Sequence, residues 1–308
     1  LFQSSGQILM RRKLQRQSKS SNGGKGVSVA CITLDRKGSL FLMGTRIASG
    51  IIGAPIVLVA ILLGNLWLTA FLIIVANLAY FELRYLINRF TDKPSAVLGV
   101  PWIVFLIVGA SIGGNSVPYI LAAGLLFSLI LTVSKRKNPV RSMLHWTTEI
   151  AGPLCIGLPC TLAILTRSLD FGANWLFLTI ITVFSTDIGA FLIGKTWGRH
   201  KLAPLISPKK TWEGAIGGFI CAIAICFILT GQVPNISFLP INTWQSLWIG
   251  GSISIVAQIG DLLESKLKRT AQVKESGWLI PGHGGVLDRV DSVFLPLVLV
   301  YYIATGLS

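Results

Sequence analysis

Acidic residues cluster near the C-terminal end of the chain, where the last apolar segment begins. Asp261 precedes a basic stretch, and Asp288 and Asp291 follow a glycine-rich turn at a spacing of three residues. A helix that starts near Leu287 would direct both later carboxylates from its first turn, where the helix dipole favours negative charge. Carboxylate oxygens are ligands that Mg²⁺ prefers, usually together with substrate phosphates. The pattern indicates a site for a divalent cation and a phosphorylated substrate.

Basic side chains accompany these acids. Lys268 and Arg269 lie in the stretch between them, and such side chains match the negative charge of a polyphosphate. Two Mg²⁺ ions about 4 Å apart would hold the attacking and leaving oxygens of an in-line displacement. The alternative is structural, with salt bridges from Lys268 to Asp288 or from Arg269 to Asp291 that only fix helix contacts. The sequence leaves both interpretations open.

The glycine-rich turn has the composition of a phosphate-binding loop. Gly284 and Gly285 permit close backbone approach and unusual dihedral angles. His283 precedes them, where it either donates a hydrogen bond to a phosphate or caps the turn. Ser265 lies four residues after Asp261 and shares its helix face. We expect these residues to line the same site.

Another acidic residue lies inside an apolar segment. Asp187 stands about two turns from the end of the segment at 174–193. An ionised side chain there costs at least ~2.5 kcal/mol on membrane-insertion scales, so it normally faces a partner or a water-filled cavity. We therefore include Asp187 among the candidate site residues, together with Glu213 from the loop that follows.

That loop contains the sequence SPKKTWEG. Ser207 and Pro208 resemble a helix start, which would expose free backbone N–H groups. Lys209, Lys210 and the Thr211 hydroxyl would add two cations and a donor at the same end. The motif predicts a phosphate cradle, but a basic loop that merely opens a helix would contain the same residues.

Long apolar segments must position these polar groups. The chain of 308 residues is 52% hydrophobic and only 13% charged, with mean hydropathy +0.70, whereas soluble domains carry about 25% charged residues. Several segments approach the ~20 residues that cross a bilayer. We therefore predict an all-α, polytopic integral membrane protein with about nine transmembrane helices, at 47–63, 66–81, 96–110, 117–133, 150–166, 174–193, 214–230, 245–260 and 293–305.

The net charge of +15 follows this topology. If the N-terminal tail lies in the cytoplasm, 26 of the 27 lysines and arginines fall on the cytoplasmic side and only Arg167 falls on the other. This distribution obeys the positive-inside rule, and the same face would attract anionic lipids and phosphates. The charge therefore requires no nucleic-acid partner, and no nucleic-acid-binding motif accompanies it.

The chain divides into three regions by composition. Residues 1–46 mix arginine, lysine, serine and glycine and predict a flexible basic cytoplasmic tail. Its first residues, LFQSSGQ, are set aside as a cloning remnant. Residues 47–170 hold the N-terminal transmembrane helices, and residues 171–308 hold the C-terminal transmembrane catalytic region.

The stretch from Ser265 to Ser292 closely resembles the signature of phosphatidate cytidylyltransferases, also called CDP-diacylglycerol synthases. Glu275 departs from the signature, which has an aspartate after Lys274. The likeness extends upstream to Thr182, whereas the first 150 residues resemble the family only in hydropathy. The signature positions are filled by Ser265, Lys268, Arg269, Lys274, His283, Gly284, Gly285, Asp288, Arg289 and Asp291.

The resemblance implies an all-helical multi-pass membrane enzyme that joins CTP to phosphatidic acid and releases pyrophosphate, with Mg²⁺ required and two divalent ions expected. It implies metal-binding roles for Asp261, Asp288 and, directly or through another ligand, Asp291. Together with the motifs, it gives catalytic roles to Asp261, Asp288, Asp291, Lys268 and Arg289. Substrate-binding roles fall to Ser207, Lys209, Lys210, Thr211, Ser265, Arg269, Lys274, His283, Gly284 and Gly285.

The expected partners are CTP, phosphatidic acid and membrane lipids, with no nucleic acid, and a homodimer is left open. The simplest location is a bacterial plasma membrane, with the N-terminus and the site facing the cytoplasm; an organelle membrane is the alternative. A CTP-dependent polyprenol or lipid kinase, which would transfer the γ-phosphate, is the alternative function. A cation transporter is a more distant one.

Overall fold

Helices form most of the protein. Its structure is a computed structural model. It describes residues 53, 55–89, 98–134, 139–233, 236–237, 239–273, 275–277 and 284–307. The predicted tail at 1–46 and the predicted site residues Lys274 and His283 lie outside these residues. The predictions made for them therefore stay predictions.

The first part of the structure consists of helices joined by short turns. Residues 55–63 form α1, and Gly64, with φ 97°, separates them from α2 (Asn65–Ile87). This left-handed backbone suits glycine, because a Cβ would clash with the neighbouring carbonyl. The following elements are α3 (Gly99–Ser111), α4 (Val117–Ser134), α5 (Pro139–Gly152), a π-helical turn (Pro153–Gly157) and α6 (Leu158–Arg167).

The second part alternates long helices with short antiparallel hairpins. Asn242 and Gln245 form a capping box at the start of its longest helix, each side chain accepting from the other's backbone N–H. The elements are α7 (Gly172–Thr196), β1 (Lys201–Ala203), β2 (Ser207–Thr211), α8 (Trp212–Leu229), β3 (Thr230–Val233), β4 (Ile236–Ser237), α9 (Thr243–Thr270) and α10 (Leu287–Leu307).

The prediction of an all-α polytopic membrane protein is confirmed, but the count of nine crossings is not. Seven helices in the described part of the chain are long and apolar enough to cross a bilayer, and one of them, Trp146–Arg167, runs through the π-helical turn. α3 has 13 residues, which span about 20 Å against a hydrocarbon core of about 30 Å. The block at 47–63 is described as helix only at 55–63.

Apolar side chains cover much of the outer surface. On α4, Leu126, Phe127, Ile130 and Val133 are all exposed. Burying a side chain of this kind stabilises a fold by about 1.5–3 kcal/mol, so a face built from them is suited to lipid and not to water. Trp146–Arg167, by contrast, is the most buried of the seven spans.

Small residues bring the helices of the second part into close contact. A Cβ at Gly218 of α8 would lie 2.6 Å from the backbone oxygen of Thr186 in α7, and one at Gly214 would lie 2.7 Å from that of Ala190. Glycine at such positions lets two membrane helices approach closely. A larger side chain at Gly214 or Gly218 would therefore separate α7 from the first turns of α8.

α10 packs into both apolar cores of the structure. Phe294 and Leu297 belong to the core that includes α2, α3 and α6. Val300 and Ile303 belong to the core formed with α7, α8 and α9. α10 therefore packs against helices from both halves of the chain. The predicted division of the chain at residue 170 stays a prediction.

Candidate functional site

The first turn of α10 carries one of the candidate aspartates. α10 begins at Leu287, where the sequence predicted a helix start, and Asp288 is its second residue. Asp288 Oδ2 accepts hydrogen bonds from the backbone N–H groups of Ser276 and Gly285, each at 2.9 Å. Asp288 Oδ1 accepts a hydrogen bond from Lys268 Nζ at 2.6 Å. Asp288 therefore joins the start of α10 to the preceding turn and to α9.

Lys268 lies between two carboxylates. Its Nζ is 2.6 Å from Asp288 Oδ1 and 2.5 Å from Oε2 of Glu264, which lies one helical turn earlier in α9. The three side chains are only 16%, 10% and 6% exposed, in the order Lys268, Asp288, Glu264. Neither Glu264 oxygen has a hydrogen-bond partner of normal geometry in the described part of the chain. A single ammonium can fully balance only one of these two largely buried acids when both are ionised.

Asp261 forms the second acid–base contact of the site. It pairs with Lys210 of β2, and Asp261 Oδ1 accepts a hydrogen bond from Ser265 Oγ at 3.4 Å. Both side chains of the ion pair are partly exposed, Lys210 by 26% and Asp261 by 32%. Lys210, Asp261 and Ser265 therefore lie together in a region that is partly open to water, and their predicted roles in binding stay predictions.

Three aspartates from different helices lie within electrostatic range of one another. Asp261 interacts with Asp187 of α7 and with Asp291 of α10. Asp187 and Asp261 each lie nine residues before the C-terminal end of their helix. A Cβ at Gly260 would be 2.7 Å from the Asp291 backbone oxygen, so α9 and α10 are in close contact here. Tertiary packing therefore gathers like charges that the sequence separates by up to 104 positions.

The expected helix start at Ser207 and Pro208 is wrong. Ser207–Thr211 form β2, paired with β1, and the helix begins at Trp212. Thr211 is the N-cap, because its Oγ1 accepts a hydrogen bond from the Gly214 backbone N–H at 3.2 Å. Pro208 cannot donate to a strand ladder and is tolerated in this edge strand. The cradle motif thus consists of a strand and a helix cap.

Two further contacts hold this hairpin in place. Arg269 Nε at the end of α9 donates a hydrogen bond to the Ile206 carbonyl at 3.1 Å, and the predicted substrate-binding role of Arg269 stays a prediction. Glu213 Oε1 is 2.6 Å from His200 Nδ1, and the His200 backbone N–H donates to the same carboxylate at 3.2 Å. Lys209, next to the paired Lys210, is exposed on β2.

The glycines of the predicted phosphate loop are tightly packed against side chains. Gly284 has φ 82°, and a Cβ there would lie 2.7 Å from Asp288 Oδ2. A Cβ at Gly285 would overlap Ser276 Oγ and the carboxylate of Glu82. These packing contacts are sufficient to explain why both positions are glycine, without any bound ligand. The substrate-binding role of the two glycines therefore stays a prediction. Arg289 is exposed on the first turn of α10, and its predicted role also stays a prediction.

Glu82 contacts the site but was not predicted from the sequence. This residue lies near the end of α2, is 4% exposed, and accepts hydrogen bonds from the backbone N–H groups of Val286 and Leu287 at 3.0 and 2.8 Å. Its position directly after an apolar block was a usable signal, since an acid at membrane depth normally has a specific partner. No sequence pattern identifies that partner, which lies more than 200 residues away.

The donor chemistry of the site fits a divalent cation. Asp187, Asp261 and Asp291 supply hard oxygens whose mutual repulsion a cation would relieve. Among the described residues, however, no three histidine, cysteine, aspartate or glutamate side chains are arranged to hold a metal ion. Lys210 and Lys268 pair with Asp261 and Asp288 respectively. Metal binding by Asp261, Asp288 and Asp291 therefore stays a prediction, and it would require the two lysines to release these carboxylates.

Comparisons with known proteins identify the family of the chain. The model of the cytidylyltransferase family matches residues 44–306. The chain is 33% identical over 267 residues to a protein named phosphatidate cytidylyltransferase from Bacillus subtilis (strain 168), covering 85% of this chain and 97% of that relative. Proteins of the same name from Staphylococcus epidermidis (strain ATCC 12228 / FDA PCI 1200) and Staphylococcus haemolyticus (strain JCSC1435) are 32% and 31% identical, covering 85% and 84% of this chain and 100% and 97% of the relatives.

The match includes every element that carries the candidate site, from α7 to α10. It also extends over α2, which supplies Glu82 and which the signature does not cover. The predicted resemblance is confirmed, and the chain belongs to the cytidylyltransferase family.

Proposed function

We propose that this membrane protein transfers CMP from CTP to phosphatidic acid, forming CDP-diacylglycerol and pyrophosphate. Its membership of the cytidylyltransferase family and the shared name of its bacterial relatives support this activity. The observation that carries the proposal is the convergence of α7, β2, α9 and α10, which bring three aspartates and two lysines into one partly open region.

The chemistry needs little from a general base. The phosphate of phosphatidic acid is already an anion, so it can attack the α-phosphate of CTP once the two are held in line. Catalysis then depends on positioning and on charges that favour the transition state. Lys209 and Lys210 on β2 would contact CTP phosphates. To make that contact, Lys210 would leave its ion pair with Asp261.

Mg²⁺ is part of the proposal. Asp261, Asp288 and Asp291 would hold it, and a bound Mg²⁺ would neutralise charge on the phosphates and orient them. Asp288 can serve as a ligand only if Lys268 releases its Oδ1. Lys268 would then be available for a phosphate, as the signature implies.

The location follows from charge and chemistry. The positive-inside distribution supports a cytoplasmic site, where CTP is available, and the exposed apolar faces give phosphatidic acid access from the bilayer. The bacterial relatives support a plasma membrane. We propose that the N-terminus faces the cytoplasm as well.

The test uses purified protein in vesicles that contain phosphatidic acid, with Mg²⁺ and CTP labelled either in cytidine or at the γ-phosphate. We expect the cytidine label to enter the lipid and the γ-label to leave as pyrophosphate. Transfer of the γ-label to a lipid would instead identify a kinase. A cation flux through vesicles without CTP would favour a transporter, although transport sites usually lie near the membrane midplane in broken helices.

A further inference from the structure

A buried carboxylate from α2 reaches the start of α10. Glu82 Oε1 accepts a hydrogen bond from Val286 N–H at 3.0 Å, and Glu82 Oε2 accepts one from Leu287 N–H at 2.8 Å. Glu82 Oε2 also accepts a hydrogen bond from Ser276 Oγ at 3.2 Å. These donors compensate a carboxylate that is otherwise withdrawn from water, because hydrogen bonds to a charged acceptor are strong and short.

The two N–H groups belong to the orphan donors that every helix has at its N-terminus. Asp288 accepts a hydrogen bond from the preceding backbone N–H group, that of Gly285. The carboxylates of Glu82 and Asp288 together satisfy three successive N–H groups at 285–287. Glu82 thus caps α10 from a distant helix, and the positive end of the helix dipole faces it. Fixing these N–H groups also fixes the first turn that carries Asp288.

Ser276 connects the two carboxylates. Its side chain donates to Glu82 and its backbone N–H donates to Asp288 Oδ2 at 2.9 Å. Ser276 is fully buried. The segment before α10 is therefore tied to the same two acids, and a shift of Glu82 would be transmitted to Asp288 and its partner Lys268.

The surrounding backbone leaves little freedom for this carboxylate. A Cβ at Gly277 would lie 2.5 Å from Glu82 Oε1, and one at Gly285 would lie 2.6 Å from Glu82 Cδ. Only glycine lets the two backbone segments approach so closely on either side of the acid. The space between these two segments therefore holds the Glu82 carboxylate in one position.

We propose that Glu82 is a positioning residue for the reaction. It caps α10 so that Asp288 faces Lys268 and the phosphate-binding side of the site. Because Glu82 does not touch the reacting atoms, it acts through the first turn of α10. The catalytic part of this proposal rests on the proposed function, whereas the capping part does not.

The experiment compares Glu82→Gln and Glu82→Asp with the wild-type protein, and with Thr69→Val as a matched control. Thr69 is a buried polar residue of the same helix whose hydroxyl donates only to Asn65 O within α2. The first readout is steady-state kinetics with CTP and phosphatidic acid varied separately. The second is hydrogen exchange of the segment 284–291 in detergent without substrates.

We expect Glu82→Gln to lower kcat/KM for CTP about 100-fold, because a displacement of about 1 Å in a reacting group costs this much. The KM for phosphatidic acid should change less than about threefold, because the proposal assigns the first turn of α10 to the CTP phosphates. Exchange at 284–291 should become about fivefold faster, as loss of a helix cap predicts. Glu82→Asp should recover part of both effects because it keeps the charge, and Thr69→Val should show neither.

Several results would overturn the proposal. Equal kinetics and exchange in Glu82→Gln and Thr69→Val would show that Glu82 only fills space. Faster exchange with unchanged kcat/KM would show a cap without a role in positioning. If Glu82→Gln does not fold, Ser276→Ala removes one hydrogen bond to Glu82, and wild-type kinetics in that variant would contradict the proposal. An inactive wild-type protein would refute the proposed function alone, because the exchange measurement still tests the cap.

Discussion

Replacing Lys268 with methionine removes the only cation that lies between Glu264 and Asp288 among the described residues. Methionine keeps much of the side-chain volume, so the main change is electrostatic. The lysine Nζ is 2.5 and 2.6 Å from the two carboxylate oxygens. At an effective dielectric constant of about 20, each such pair is worth roughly 6 kcal/mol before the cost of burying the ammonium is subtracted.

The net effect must be smaller than this Coulomb sum. Removing one partner of a buried ion pair typically costs about 3–5 kcal/mol, because the remaining charge stays buried and unpaired. The Lys268 side chain is 16% exposed, so we take the lower end, about 3 kcal/mol. For a protein of this size that loss lowers Tm by roughly 6–12 °C. Adding Glu264→Gln should restore about half of it, because one of the two uncompensated charges is removed.

The assay is thermal unfolding in detergent followed by the fluorescence of the nine tryptophans. Lys266→Met is the matched control, since Lys266 is exposed on the same helix and surface substitutions usually stay within about 0.5 kcal/mol. A Tm for Lys268→Met within about 2 °C of that control would refute the electrostatic reasoning. A double variant no more stable than Lys268→Met would attribute the loss to packing instead of charge.

Three further predictions concern the reaction. Asp288→Asn should lower kcat more than tenfold in the labelled-CTP assay and also lower Tm, because an NH2 group replaces one carboxylate oxygen and cannot accept the hydrogen bonds made there, either that from Lys268 or those from Ser276 and Gly285; activity above a tenth of wild type would contradict the metal assignment. Lys210→Ala should raise the KM for CTP more than the KM for phosphatidic acid, and the opposite result would assign Lys210 to the lipid. EDTA should abolish product formation and added Mg²⁺ should restore it, whereas activity that survives EDTA would exclude the proposed cofactor.

Local sequence patterns predicted the elements that carry the site. The apolar blocks coincide with helices because a segment in a bilayer must satisfy its own backbone hydrogen bonds. The start of α10 at Leu287 also followed from the sequence, since the glycine-rich turn ends a loop and the acids suit a helix N-terminus. At SPKKT the same reasoning predicted the wrong helix start, because Thr211 is the N-cap and the residues before it pair with β1.

The choice of partner for each charged side chain could not be read from the sequence. Of the two salt bridges that the structural alternative allowed, Lys268 pairs with Asp288, whereas Arg269 donates to the Ile206 carbonyl. Such choices depend on which helix faces approach and on how far each side chain extends. Glu82 is the clearest example, because the backbone N–H groups that donate to it lie more than 200 residues later in the chain.

Hydropathy, charge and spacing along the chain were enough to predict a helical membrane protein with acids and cations at the ends of its last helices, and with the signature of cytidylyltransferases. The capping of α10 by α2 and the common region of Asp187, Asp261 and Asp291 became visible in the folded structure alone. The reason is physical: helix packing brings together groups that are distant in sequence, and local periodicity contains no information about which helices meet.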